Sequence, residues 1–219
     1  MVRSRFEAEL EELHLDLIRM GALAEQVIEG TMQALKSLDV KAAKLIMEDD
    51  DTVDGMARQI ESKTIKLIMR QQPVAKDLRS VSAALKMITD IERICDQAAD
   101  IAEIIGMLKK YDDGFHPAHI SEMGETAVQM VHLAVDSFVK DDLAIAQKVI
   151  EMDDIQDDLF NLAKAELLGT ALADKSRIDA VIDYLMIAKY LERISDHAEN
   201  IADWTTFAVT GIHKNEKII

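Results

Sequence analysis

The sequence contains little of several residue types on which other classes of protein depend. Its single cysteine, Cys95, excludes an internal disulfide framework and is typical of a protein from a reducing cytosol. Two prolines and eight glycines are too few for a sandwich of many short strands. Aromatic residues make up only 4% of the chain, so aliphatic side chains and methionine must fill the core, as they do in helix bundles.

Positive charge and long apolar runs are also scarce. The 25 Lys and Arg residues against 41 Asp and Glu give a net charge of −16, which argues against binding to nucleic acid or anionic lipid, because both need a basic face. This balance permits cations or a basic protein partner. No stretch reaches the roughly 18 uncharged apolar residues of a membrane span, and the N-terminus turns acidic before any apolar run, so no signal peptide is expected. The sequence predicts a cytoplasmic helical protein without direct membrane insertion.

An internal repeat organises the chain. Apolar residues recur about every 3.6 positions almost throughout, which predicts helices. One clear break, with Asp-Asp-Gly and a proline, falls at 109–119. After this break the pattern restarts, so that Gly21 corresponds to Gly124 and Asp39 to Asp142, both at an offset of 103. The third helices match at an offset of 100, and the chain therefore contains two copies of one three-helix unit.

This repeat predicts an all-α fold of six helices, arranged as two tandem three-helix bundles with an internal pseudo-twofold repeat. The first bundle is expected at residues 1–110 and the second at 117–212. Asp39 is expected to cap the N-terminus of the second helix. That helix should end near Pro73, because proline disfavours helical geometry in the residue before it but fits the first turn of a following helix.

Acidic residues recur in two nearly identical helical segments, IERICDQAADIAE at 91–103 and LERISDHAENIAD at 191–203. Like charges four residues apart on a helix repel by a few tenths of a kcal/mol per pair. The acids lie roughly half a turn from the apolar stripe and so face away from the bundle core. Surface helices commonly have such a face. Against that interpretation, Arg93 and Arg193 are the only cations in the two segments, so the acids are not interleaved with lysines.

The second helix of each repeat carries its own carboxylate pair four residues apart. These pairs flank the apolar stripe, so each bundle can bring two pairs together across a groove between helices. Clustered carboxylates repel unless a multivalent cation cancels their charge. All-oxygen ligation suits Fe³⁺, Mn²⁺, Mg²⁺ or Ca²⁺ better than structural zinc. The predicted metal ligands are Asp50, Asp54, Glu92, Asp96, Asp100, Asp153, Asp157, Glu192 and Asp196.

The sequence resembles the PhoU family of bacterial and archaeal phosphate-signalling regulators over essentially its whole length. The resemblance is carried by the duplicated three-helix unit, by RQQPVAKDLR at 70–79 and by the paired motifs ERICDQAADIAE and ERISDHAENIAD. It implies an all-α protein, often a homodimer, that binds a multinuclear metal cluster at its surface through these acidic motifs. Iron is the first expectation for that cluster, and manganese, magnesium, zinc and calcium are alternatives.

The resemblance also implies a function. Such proteins are negative regulators that link the ATPase of the phosphate ABC transporter to a sensor histidine kinase, so that phosphate-starvation genes stay off when phosphate is plentiful. The implied protein is not an enzyme, and it is cytoplasmic but peripherally recruited to membrane protein complexes. The resemblance does not separate the main regulator from PhoU-like paralogues with other partners.

An enzyme is the main alternative. A metal-dependent phosphohydrolase or oxidase could use the same carboxylates, but it would need an open coordination position and a general base or redox-active metal. The chain has one Glu-x-x-His motif, Glu11 to His14, whereas a ferritin-like di-iron oxidase needs two. A structural helical module whose acids only keep it solvated is the remaining alternative.

The two repeats depart from each other in ways that matter for function. Asn200 stands where the first copy has Asp100, which removes one negative charge and one candidate ligand from the second site. The segment QQPVAKDLR is intact in the first copy and lost in the second. The two bundles are therefore not expected to be equivalent in partner binding.

Several other polar residues have two interpretations. His116 and His119 on the inter-repeat turn can ligate a metal, but polar residues on an exposed loop are the simpler interpretation. Lys76 and Arg79 open the third helix, where amides and positive side chains can hold phosphate. A helix start with Asp77 pairing locally is simpler.

Three further residues have expected places. His197 is predicted to be a neighbour of the second acidic site rather than a ligand. Cys95 is predicted to be buried on the apolar stripe and therefore inert. Trp204 is expected either to anchor a partner or to pack against the first helix of its bundle.

Overall fold

The computed structural model of the chain describes residues 2–111, 114–214 and 216–217, and all of their side chains except those of residues 2–4, 49–51 and 217. Most of these residues lie in six helices: α1 (Val2–Ser37), α2 (Val40–Gln71), α3 (Lys76–Leu108), α4 (Ala118–Val139), α5 (Leu143–Ala173) and α6 (Ile178–Thr210). Short 3₁₀ turns follow α3 (Lys109–Tyr111) and α5 (Lys175–Arg177), and an antiparallel hairpin, β1 (Ile212–His213) with β2 (Glu216–Lys217), follows α6. The predicted all-α fold of two tandem three-helix bundles is confirmed.

The helix ends follow from local chemistry. Asp39 accepts hydrogen bonds from two backbone N–H groups in the first turn of α2, at 2.9 and 3.1 Å, as expected of an N-cap. Its equivalent Asp142 makes the same two bonds at the start of α5, at 2.8 and 3.1 Å. The helix α2 ends where Gln72 turns to the left-handed conformation, directly before Pro73. The two repeats therefore share the same N-cap residue and the same capping hydrogen bonds.

The two bundles pack on each other through two pairs of helices. α3 lies against α6 and α1 against α4, while α2 packs on α1 and α3, and α5 packs on α4 and α6. One hydrophobic core runs through both bundles and includes Ile91 of α3 and its equivalent Leu191 of α6, both fully buried. Because the core is shared, the two repeats are halves of one packed unit. The bounds 1–110 and 117–212 remain predictions from the sequence.

The crossing of α1 and α4 follows the pseudo-twofold symmetry of the repeat. A Cβ atom on Gly21 would lie 2.8 Å from a methyl carbon of Val135, and one on Gly124 would lie 2.6 Å from the terminal methyl carbon of Met32. These contacts are equivalent, since Gly21 and Gly124, like Met32 and Val135, are 103 positions apart. Glycine is therefore needed at the same place in each repeat for the helices to approach this closely.

The helices α3 and α6 are apolar on one side and acidic on the other. Cys95 is buried in the apolar stripe of α3, as predicted. The acidic residues of both helices lie on the other side, where they are partly exposed. In the part of the chain that the structure describes, no helix has both the length and the apolar character needed to cross a bilayer.

Candidate metal centres on the acidic faces of the two bundles

Carboxylates of α2 and α3 meet in the groove between these helices. Burial raises the pKa of Glu92, and the negative charges of Asp54, Asp96 and Glu61 raise it further. Asp54 and Glu61 come from α2, whereas Glu92 and Asp96 come from α3. We call these four residues the first acidic cluster. Acids from two neighbouring helices are thus close enough to repel one another.

Arginines offset part of the charge of the first acidic cluster. Arg93 donates from Nη1 to Oδ2 of Asp96 at 2.9 Å. Arg58 Nη2 lies 3.8 Å from Oδ2 of Asp54. All four side chains are partly exposed, and ion pairs of this kind contribute at most about 1 kcal/mol each. They nevertheless place a positive charge beside a carboxylate of each helix.

Two further predicted ligands belong to the first bundle. Burial raises the pKa of Asp100, the charges of Asp96 and Glu103 add to this shift, and Arg193 from α6 opposes it. Asp100 therefore lies beside the first acidic cluster, close to the second bundle. Asp50 lies outside the residues whose side chains the structure describes.

The second bundle brings five carboxylates together. The pKa of Asp153 is raised to about 7, first by burial and then by the negative charges of four other carboxylates. Burial is also the main cause of the raised pKa values of Asp196 and Glu199. We call this group the second acidic cluster: Asp153 and Asp157 of α5 with Glu192, Asp196 and Glu199 of α6.

The second acidic cluster has one ion pair among the described residues, whereas the first has two. Lys189 donates to Glu192 within the same helix. Lys214, in the turn of the hairpin, donates to Oδ1 of Asn200 at 3.0 Å and lies 3.9 Å from Asp203. The other four carboxylates of the second acidic cluster form no ion pair with any residue that the structure describes. Negative charge is therefore less compensated here than in the first bundle.

Sequence analysis missed two members of these clusters. Glu199 follows Glu192 by seven residues, two helical turns, and so lies on the same face of α6. It stands one position before Asn200, so the loss of the carboxylate equivalent to Asp100 is offset by a new one. Glu61 lies on the face of α2 that carries Asp54, also seven residues later. A search for acids two turns apart would have found both.

The donors fit a hard cation in their chemistry, because all are carboxylates and their mutual repulsion would fall when positive charge binds. Among the described side chains, no three His, Cys, Asp or Glu residues are arranged to hold one metal ion. Binding would therefore require these partly exposed side chains to change rotamer. The nine ligands named from the sequence, and iron as their metal, remain predictions.

Two of the histidines considered from the sequence, His119 and His197, have carboxylate partners outside the two clusters. His197 Nδ1 lies 2.9 Å from Oδ1 of Asp90, which connects α6 to α3 and agrees with its expected place beside the site. His119 Nδ1 lies 2.7 Å from Oε2 of Glu166, a contact that connects the start of α4 to α5. Both pairs therefore connect helices.

The cations at the start of α3 are engaged with the second bundle. Lys76 donates to Oδ2 of Asp141 at 2.8 Å, and Arg79 Nε donates to the carbonyl oxygen of Ala208 at 3.4 Å. The expected local pairing with Asp77 is wrong for these two side chains. Their contacts join the bundles rather than surround a phosphate.

Trp204 makes its ring contacts at the C-terminal end of the chain. It stacks on His213 of β1, with ring centroids 3.9 Å apart, and meets Phe207 edge to face. Lys86 of α3 lies 5.9 Å from its ring. These contacts hold the hairpin against α6, and the expected packing of Trp204 on the first helix of its bundle stays a prediction.

Comparisons with known proteins agree with this architecture. A family model described as the PhoU domain matches residues 17–105 and 120–205, once in each bundle. A phosphate-specific transport system accessory protein PhoU homolog from Clostridium acetobutylicum is 39% identical over 212 residues, 96% of this chain and 97% of that protein. A homolog of the same name from Pseudomonas aeruginosa is 31% identical over 96% of this chain and 87% of its own length.

Solved structures match over nearly the whole chain. The crystal structure of PhoU from Pseudomonas aeruginosa superposes with a TM-score of 0.88 at 31% identity, over 94% of this chain and 99% of that one. The phosphate transport system regulatory protein PhoU from Streptococcus pneumoniae has a TM-score of 0.88 at 26% identity, over 98% of this chain and 99% of that one.

Proposed function

The chain belongs to the PhoU family, and from this premise we propose that it represses phosphate uptake and phosphate-starvation signalling as an accessory protein of a phosphate-specific transport system. The observation that carries the proposal is the duplicated bundle, since the PhoU domain matches both repeats and each repeat carries an acidic cluster. The relatives are named accessory or regulatory proteins, so the chain is not an enzyme.

The regulatory function requires partners. We propose that the chain binds the ATPase of the phosphate transporter and the sensor histidine kinase, at the cytoplasmic side of the membrane and as a homodimer. Support comes from the named relatives, which belong to the transport system, and from the exposed apolar side chains on the outer helix α2. A soluble adaptor needs such surfaces to recognise proteins that are themselves held in the membrane.

We also propose that each acidic cluster holds metal, with iron as the first expectation. In the first bundle Asp54, Glu92 and Asp96 would hold it, assisted by Asp50 and Asp100. A bound cation would supply positive charge that cancels the repulsion among these carboxylates. The packing of α2 on α3 brings these carboxylates to the same groove.

In the second bundle the equivalent ligands would be Asp153, Asp157, Glu192 and Asp196, with Glu199 as an addition from the structure. Here α5 packs on α6 and brings the same kinds of side chain together. The raised pKa of Asp153 supports this proposal, because burial is its main cause and the charges of four neighbouring carboxylates add to it.

Co-purification tests the regulatory proposal. The full chain is expected to retain the transporter ATPase in detergent and the cytoplasmic portion of the histidine kinase, and its deletion should raise expression of a phosphate-starvation reporter at high phosphate. Binding of neither protein, together with an unchanged reporter, would contradict the proposal and favour a paralogue with other partners.

A further inference from the structure

The C-terminal end of α2 exposes apolar and basic side chains side by side. Ile65 and Met69 are 51% and 72% exposed, and Lys66 and Arg70 beside them are exposed as well. We call these four residues the α2 stripe. The adjacent Leu67 is almost fully buried, so the helix packs on the bundle through its other face. The two apolar side chains are one turn apart and so form a small contiguous patch beside the two cations.

The repeat shows which part of the α2 stripe is specific to the first bundle. At an offset of 103, Leu168 and Leu172 of α5 stand in place of the two apolar residues and are 59% and 76% exposed. The two cations are replaced by Gly169 and Ala173. Exposed apolar pairs are thus common to both bundles, whereas positive charge is present only in the first.

The cations of the α2 stripe are available to a partner. Lys63, one turn earlier, is held 2.5 Å from Asp16. Lys66 and Arg70 form no hydrogen bond or ion pair with any residue that the structure describes. They line a groove of about 320 Å³ toward α1 that also contains Glu9 and Glu12.

Of these two carboxylates, Glu9 already accepts from Arg5 at 3.1 Å and from Gln71 at 3.3 Å. In a chain with a net charge of −16, two free cations beside two apolar side chains are complementary to an acidic, amphipathic partner.

The loop that follows the α2 stripe is strained in the first bundle alone. Gln72 and Ala75 have positive φ angles of 45° and 49°, which residues other than glycine rarely adopt, and Val74 between them is 72% exposed. The equivalent connection, Lys175–Arg177, is a 3₁₀ turn without a positive φ. Backbone strain of this kind clusters at functional sites.

The spacing and charge favour a protein segment over a membrane. Both pairs of the α2 stripe are four residues apart, so a partner helix along α2 meets an apolar and a basic position once per turn. Two free cations fall short of the roughly four to eight that attract a protein to anionic lipid. The excess negative charge of the chain adds repulsion from such a surface.

We propose that the α2 stripe and the exposed Val74 form the surface on which the first bundle binds an acidic amphipathic segment of a protein partner. Carboxylates of the segment would contact Lys66 and Arg70, and its apolar side chains would cover Ile65, Met69 and Val74. This inference rests on the proposed function, because that function supplies the transporter ATPase and the histidine kinase as partners.

Binding affinity for these two proteins tests the surface. The variant Lys66→Glu/Arg70→Glu should lose at least about tenfold in affinity for one of them. The matched control Lys41→Glu/Lys44→Glu changes the net charge equally, at the other end of the same helix, and should stay within about twofold. Affinity of the wild type should also fall with added salt.

The second repeat supplies a matched control for the two apolar residues of the α2 stripe. Ile65→Ser/Met69→Ser should also lose about tenfold, while Leu168→Ser/Leu172→Ser, the same change at the equivalent positions of α5, should not. All four sites are exposed, so unchanged circular dichroism melting is expected to show that the variants fold.

Four outcomes would contradict the proposed surface. Failure of the wild type to bind either protein removes the proposed function and this surface together. If both stripe variants bind as tightly as the wild type, the proposed surface is wrong but the proposed function stands. If a stripe variant changes the mass measured by light scattering, the stripe is a contact between copies of the chain. If the wild type binds anionic vesicles, the stripe is a membrane-binding surface.

Discussion

In the first bundle Asp54 and Asp96 each lie beside an arginine, whereas in the second bundle their equivalents Asp157 and Asp196 have no ion pair among the described residues. The equivalent arginines differ in what they neutralise. Arg93 pairs with its own helix, but Arg193 acts on Asp100 of the neighbouring α3. The motif is repeated, yet packing decides which carboxylates are compensated. The second bundle is therefore expected to respond more strongly to cations and to pH.

The largest effect should come from cations. A cation at one hundred times its Kd stabilises a folded protein by about 2.7 kcal/mol. Melting temperature should therefore rise when Mn²⁺ or iron is added to chelator-treated protein, and Asp153→Asn/Asp196→Asn should remove more of this rise than Glu92→Gln/Asp96→Asn. If both double variants lose the same part of the rise in melting temperature, the expected difference between the bundles is wrong. A melting temperature that changes with neither added cations nor EDTA would contradict metal binding.

The next largest effect concerns the crossing of α1 and α4. Gly21→Ala should lower the free energy of unfolding by about 1 to 3 kcal/mol, because the branched side chain of Val135 cannot move away easily. The equivalent Gly124→Ala should cost less, because Cε, Cγ and Sδ of Met32, which its Cβ would meet at 2.6 to 2.9 Å, belong to an unbranched side chain that can change rotamer. Urea denaturation measures both, and equal costs would show that the crossing has more freedom than its geometry indicates.

A smaller effect follows from the pKa of Asp153, raised to about 7 in the folded state. A raised carboxyl pKa means that the folded state binds a proton more tightly than the unfolded state. Stability therefore falls as pH rises from about 4 to 7, and the loss is complete above pH 7. In chelator-treated protein, Asp153→Asn should stabilise the fold at pH 8 by about 1 kcal/mol, allowing for solvent screening, and little near pH 4.

The control for this titration comes from the first bundle. Burial and neighbouring acids also raise the pKa of Glu92, so Glu92→Gln should act in the same direction. Its effect should be smaller, since Arg93 opposes the shift. Denaturation of both variants at pH 8 and pH 5 measures the difference. A larger effect at Glu92 would contradict the expectation that the second acidic cluster responds more strongly to pH than the first.

The smallest difference is expected where the repeats agree. Asp39→Ala and Asp142→Ala should each cost about 1 kcal/mol, because each removes the same two hydrogen bonds from a helix N-terminus. The two costs should agree within about 0.5 kcal/mol in urea denaturation. A clear inequality would show that the surroundings, rather than the cap, determine the cost.

The sequence was sufficient for features that depend on neighbours along the chain. Helix period, the cap at Asp39 and the end of α2 before Pro73 are local, and the repeat doubled the signal for each. The sequence did not show that Lys76 pairs with Asp141 or that Arg193 acts on Asp100, because these contacts join residues far apart in the chain. Which carboxylates of each acidic cluster lie beside a cation therefore could not be predicted without knowing how α3 packs on α6.

Metal content of the protein purified without chelator tests the central claim most directly. Elemental analysis of the wild type should find bound iron or another hard cation, and Asp153→Asn/Asp196→Asn should lose a larger share of it than Glu92→Gln/Asp96→Asn. Wild-type protein that carries no metal, and takes up none from solutions of iron or manganese, would contradict the claim that these carboxylates converge to hold a cation.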